Sequence, residues 1–147
     1  MEVSDVRRRL RAAMEDAKRL AEERRTKKDA AVREWERVLA DVVTPAFHQI
    51  AQALNAESHR FQVTTPGSAV RLVPERGGEE FVEVALDTDG DAPQVMIRST
   101  RGRGRRTVTN ERPLAARSVD ALTALTALTD EEIVGEVIEE LKPFLQR

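Results

Sequence analysis

Residues 2–43 contain neither glycine nor proline and are dominated by Ala, Leu, Glu, Arg and Lys. Those side chains lose little entropy in a helix, so the run predicts one continuous helix. At 1.5 Å per residue it would be about 63 Å long. A small domain cannot cover that length, so part of the helix must project or pack on another chain.

The apolar pattern along the run is uneven. Val3, Val6, Leu10, Ala13, Ala17 and Leu20 are spaced 3-4-3-4-3, a short heptad seam. The seam ends where Arg24 and Lys27 take the next positions, and seven of the ten residues 21–30 are charged. This stretch reads as a solvated waist. Glu15 and Arg19, Glu23 and Lys27, and Asp29 and Arg33 have the favourable acid-first i,i+4 order across it. A second apolar cluster follows: Val32, Trp35, Val38, Leu39, Val42 and Val43. An eleven-residue rung, Leu10, Ala21, Val32, Val43 and Leu54, would keep one heading on a nearly straight helix.

Thr44-Pro45 has the chemistry of a helix start, with Thr as N-cap and Pro at the first helical position. The reading is therefore a break there and a new helix over 45–56, with a continuous kinked helix as the alternative. From 59 onward the period becomes two: Phe61 and Val63; Val70 and Leu72; Val82, Val84 and Leu86; Val95 and Ile97; and, weakly, Thr107 and Thr109 around Val108. Turn residues separate these runs, and such short connections suit only antiparallel neighbours. Near the C-terminus, Thr129-Asp130-Glu131-Glu132 is a capping box opening a helix whose apolar face is Ile133, Val134, Val137, Ile138, Leu141 and Leu145. The Ala-Leu-Thr triplets of 121–129 predict either a short helix capped by Ser118 or a loop with 3₁₀ turns.

The expected fold is α+β: a long N-terminal helix, an antiparallel meander of four or five strands, and a C-terminal amphipathic helix packed on one sheet face. Residues 1–44 form an arm for oligomerisation or a partner. Residues 45–147 form the α+β domain, with strands within about 59–110 and the last helix over about 129–146.

Composition narrows the function. Lys plus Arg is 24 and Asp plus Glu is 26, a net charge of −2 that argues against coating nucleic acid through bulk charge. There is no cysteine, hence no disulfide, thiol catalysis or thiolate metal site. The only histidines, His48 and His59, lack a carboxylate at ligand spacing. The serines show no nucleophile elbow, and Gly102 and Gly104 are not a P-loop. Asp87-Thr88-Asp89-Gly90-Asp91 superficially resembles a calcium loop but joins two strands, where Asp-Gly is hairpin chemistry. No catalytic, cofactor or metal site is expected. With no secretory signal and no apolar span, the expectation is a soluble cytoplasmic protein without membrane partners.

One charged segment stands out. Residues 98–117 hold seven arginines against Glu111, a net charge of +6. Residues 75–91, at −6, and 120–147, at −5, offer internal partners for them. The first functional reading is a non-catalytic oligomerising or adaptor protein that associates with itself or a complex through Val3, Val6, Leu10, Leu20, Val32, Trp35 and Leu39. Antiparallel pairing would set residues 3–20 of one chain on 32–43 of the other. The alternative is a nucleic-acid-binding accessory protein using Arg98, Arg101, Arg103, Arg105 and Arg106.

Overall fold

The helix runs further than the Thr-Pro signal predicts. The computed structural model, which describes residues 1–76, 78–90, 92–114 and 120–146, has α1 over Val3–Val38, a single π turn over Leu39–Val43 and α2 over Thr44–Ala56, with no break between them. Thr44 is helical (φ −62°, ψ −46°) and its side chain caps nothing, which corrects the expected helix start. Proline explains the π turn. Pro45 has no N–H to donate, and in an α-helix its ring would strike the Asp41 carbonyl. The wider turn relieves that clash, with the Thr44 N–H donating to the Leu39 carbonyl five residues back. The extra residue also resets the helix phase. The buried positions step from Ala31, Trp35 and Val38 to Val43, and then to Ala46, Phe47, Ile50, Ala51 and Leu54. The eleven-residue rung therefore does not hold a single environment: Leu10 and Ala21 are exposed, Val32 is half-buried, and Val43 and Leu54 are buried.

α2 ends in a Schellman motif, with the His59 N–H donating to the Leu54 carbonyl (2.8 Å) and the Ser58 N–H to the Asn55 carbonyl (3.1 Å). The motif needs a left-handed residue, and Ser58 supplies it at φ 68° where glycine is normal. Ser58→Gly is expected to stabilise the fold by about 0.5–1 kcal/mol, read from the denaturant midpoint, because it removes the Cβ clash. Asn55 Oδ1 then accepts the Phe61 N–H (3.1 Å), tying the helix end to the first strand.

Five strands follow: β1 (Phe61–Thr64), β2 (Ala69–Pro74), β3 (Phe81–Asp87), β4 (Gln94–Arg103) and β5 (Arg106–Pro113). They form an antiparallel meander in chain order, as the alternating pattern predicts. β5 is a full strand and extends to Pro113, beyond the expected limit near 110. The registers Val63↔Leu72, Leu72↔Val82 and Val84↔Ile97 line up one apolar face. α2 packs over β1 and β2, and α4 (Asp130–Leu145) over β3 and β4. Phe61 meets Phe144 edge to face, with ring centroids 6.3 Å apart.

The triplet run contains a short helix, α3 (Ala121–Thr126), capped by Asp120, whose Oδ1 accepts the Thr123 N–H (2.8 Å). That hydrogen bond holds the Asp120 carboxyl below its ordinary pKa. The expected cap, Ser118, lies outside the described residues. Thr129 caps α4 as the capping box predicts, accepting the Glu132 N–H. On α4 the buried set is Ile133, Val137, Leu141 and Phe144, whereas Ile138 faces solvent.

α3 lies against α1, and upstream of that contact α1 leaves the body. Ala31, Trp35, Val38 and Val43 belong to the core, so the core reaches upstream of residue 45. The charged waist 21–29 is exposed throughout. Just upstream of it Arg19 turns to Asp16 (3.4 Å) rather than to Glu15, and among the described residues none of the three expected i,i+4 pairs forms.

Candidate functional site

Two features stand clear of the core. The first is the outer half of α1. From Val3 to Asp29 every residue is exposed except Asp5, which is half-buried. Val3, Val6, Leu10 and Leu20 are 75 %, 42 %, 58 % and 46 % exposed, so the heptad seam is an uncovered apolar strip. Helical spacing puts Met14, also exposed, beside it. Met14 escaped the sequence reading because it sits one place off the 3-4 spacing, although it stands four residues after Leu10.

The other three residues expected to bind a partner have different surroundings. Trp35 is 1 % exposed, and its indole Nε1 donates to the Ser68 carbonyl (2.7 Å). It packs in its own chain's core and is not part of the exposed strip. Leu39 is half-buried against that core and Val32 is half-buried. With Trp35, Val38 and Val43 turned inward, an antiparallel seat for another chain on residues 32–43 lacks its main apolar anchors.

The second feature is the β4–β5 hairpin. β3 pairs with β4 only as far as Phe81↔Thr100, while β4 and β5 continue to Arg103↔Arg106. The last residues thus form a two-stranded ribbon projecting past the sheet. Gly104 makes its turn at φ 64°, the glycine-first position of a II′-type hairpin. Glu80 braces the base, its Oε2 accepting the Gly102 N–H (2.7 Å).

The structure divides the arginines into two groups. On the sheet face away from the helices, Arg98 donates to Glu83 (2.6 Å) and Arg71 donates to the same carboxylate (2.8 Å). Both guanidiniums lie over the Phe81 ring, at 4.1 Å for Arg71 and 5.6 Å for Arg98. On the helix-covered face, Arg112 pairs with Glu140 (2.8 Å) and Glu136 of α4, and Ser99 Oγ donates to Glu140 (3.0 Å). Burial disfavours the charge on Arg112, but the bonds to Glu140 and Glu136 outweigh it and raise its pKa. Arg98 is therefore neutralised within the fold and leaves the expected nucleic-acid set. By contrast, Arg101, Arg103, Arg105 and Arg106 form no ion pair among the described residues, and all but the half-buried Arg101 are exposed. The partner glutamates 83, 136 and 140 were not assignable from sequence, because strand register and helix placement decide which acid meets which arginine.

His48 is exposed on α2. His59 lines an open surface depression of about 730 Å³ with Ser58, Glu75, Glu80 and Phe144. Among the described residues no hydrogen bond or ion pair joins its imidazole to a carboxylate, the contact that acid–base chemistry relies on. Asp87 Oδ1 accepts the Asp89 N–H (2.9 Å), an Asx turn between β3 and β4, and Asp91 lies outside the described residues. Among the described residues no three His, Cys, Asp or Glu side chains gather as metal ligands. No helix there is long and apolar enough to cross a membrane. No protein-family model, no curated protein and no solved structure matches the chain.

Proposed function

We propose that this chain is a non-catalytic cytoplasmic oligomerisation or assembly protein, and that its N-terminal helix pairs residues 3–20 with the same residues of a second copy. The supporting observation is the exposed strip Val3, Val6, Leu10 and Leu20 on a helix that has left its own core. Such a helix gains little stability in water without packing. A second copy answers that need with an identical strip, and closed two-fold dimers are the commonest assemblies.

Flanking charges support one orientation. With Val3 at position a, the g positions are Glu2, Arg9, Asp16 and Glu23, and the e positions are Arg7, Met14, Ala21 and Lys28. In a parallel in-register pair, Glu2 of one copy meets Arg7 of the other and Glu23 meets Lys28. Arg9 then meets Met14 and Asp16 meets Ala21, so no g–e contact sets like charges together. In the antiparallel pair, Arg9 with Asp16 is offset by Glu2 with Glu23. Arg24 and Lys27 at the next core positions end the apolar seam, and beyond the Glu23–Lys28 contacts the helices splay toward the two bodies.

Light scattering at tens of micromolar tests the association. The full chain is expected at twice its 16.5 kDa mass. A Leu10→Asp, Leu20→Asp variant is expected at the single mass with its fold intact, since both positions face solvent. A monomeric wild-type chain would sink the proposal. Orientation has its own readout, because the chain has no native cysteine. Val3→Cys is expected to cross-link to itself under mild oxidation in a parallel pair. An antiparallel pair would hold the two thiols about 25 Å apart.

A further inference from the structure

We infer that the tip of the β4–β5 hairpin is an anion-binding prong for the phosphate backbone of duplex DNA. Three observations converge on it. Period two puts Arg101 and Arg103 on one face of the ribbon, and the register Arg103↔Arg106 brings Arg106 opposite Arg103 on that face. Like charges directly opposite each other on a β-ladder are destabilising, yet no acid within the described residues relieves this pair. The same fold does relieve Arg98, Arg71 and Arg112 with Glu83, Glu136 and Glu140. Among the described residues, the unrelieved pair occurs only where the ribbon leaves the sheet, so an anion from outside is the missing counter-charge.

The chemistry favours a polyphosphate. Arginine's planar fork donates two parallel hydrogen bonds to a phosphate. The chain carries −2 overall, so removing these four arginines leaves −6. A polyanion is then repelled by much of the body and steered to the tip. A two-stranded ribbon fits the major groove of B-form DNA, which the deep, narrow groove of duplex RNA does not allow. The ribbon has no aromatic residue on which single-stranded bases would stack. Gly104 keeps the turn free of bulk, and Glu80, seated beside Gly102, holds the base in place.

The test is fluorescence anisotropy of the full chain with a labelled blunt DNA duplex of about 24 base pairs across a salt series. Four phosphate contacts predict a log–log slope of about −3.6, hence at least a ~150-fold loss of affinity from 50 to 200 mM salt. Replacing Arg101, Arg103, Arg105 and Arg106 by Ala is expected to abolish binding at 50 mM, with the thermal melt unchanged to within a few degrees. Replacing the same four by Lys is expected to keep the salt slope while weakening affinity. Replacing Arg8, Arg11 and Arg25, on the α1 face away from the seam, by Ala is expected to leave binding intact. Undiminished binding by the Ala variant overturns the inference. So does loss confined to the α1 variant, absence of binding at 50 mM, or equal capture of polyglutamate competed by the duplex only at high excess.

Discussion

Replacing Trp35 with alanine is expected to cost about 3–5 kcal/mol of folding stability, the range for deleting a large buried aromatic. The side chain is 1 % exposed, where the end of α1 meets the sheet layer, among core residues that include Val38, Val43 and Val70. Its removal leaves a cavity at the joint between the rod and the body, and the Ser68 carbonyl loses the indole N–H. Ser68 is exposed, so water replaces that bond and the cavity accounts for most of the loss. Urea denaturation measures it. The loss should persist in the Leu10→Asp, Leu20→Asp background, because Trp35 acts within one chain. A loss that vanished in that background would return Trp35 to the association surface.

The second large effect is expected at Glu83. Its side chain is 7 % exposed and accepts from Arg71 and Arg98, which are 31 % and 39 % exposed. Breaking a fully buried pair costs about 3–5 kcal/mol. Here both guanidiniums keep partial access to water after Glu83→Ala, so the expected cost is about 2 kcal/mol. The loss has a specific source: two cations are left over one Phe81 ring with their shared counter-ion gone. Glu83→Gln keeps the shape and should cost less. Adding Arg98→Ala to Glu83→Ala should recover part of the loss, which a double-mutant cycle reads as coupling. Full stability of Glu83→Ala would mean that the triad contributes nothing to the outer sheet face.

Both effects depend on features that were legible only in part. The alternation of Val82, Glu83 and Val84 marks Glu83 as a polar-face residue, because side chains on a strand alternate. Its two partners follow from the registers Arg71↔Glu83 and Glu83↔Arg98, which the turns alone do not specify. The apolar spacing around Trp35 was equally plain, but the same spacing serves a core and an interface. The π turn was hidden for a related reason. Thr44-Pro45 satisfies the local chemistry of a helix start, and the apolar surface of Val38, Val43 and Phe47 outweighs that signal by burying both flanks in one core. At the candidate surfaces, the apolar spacing of residues 3–20 and the arginine run could both be read directly, but not that the strip stays uncovered. Which arginines stay unpaired could not.

By itself the sequence determined the main elements and their order: a helix-forming run too long for its body, four or five alternating strands divided by turn residues, and a Thr-capped amphipathic helix. These follow from backbone entropy, side-chain period and capping, all of which act within a few residues. Only the tertiary structure decided that Trp35 belongs inside, that Arg98 and Arg112 are neutralised, and that residues 3–20 and Arg101, Arg103, Arg105 and Arg106 remain outside. Those outcomes depend on which distant surfaces bury each other and on the register in which strands meet, and neither is a property of any short segment.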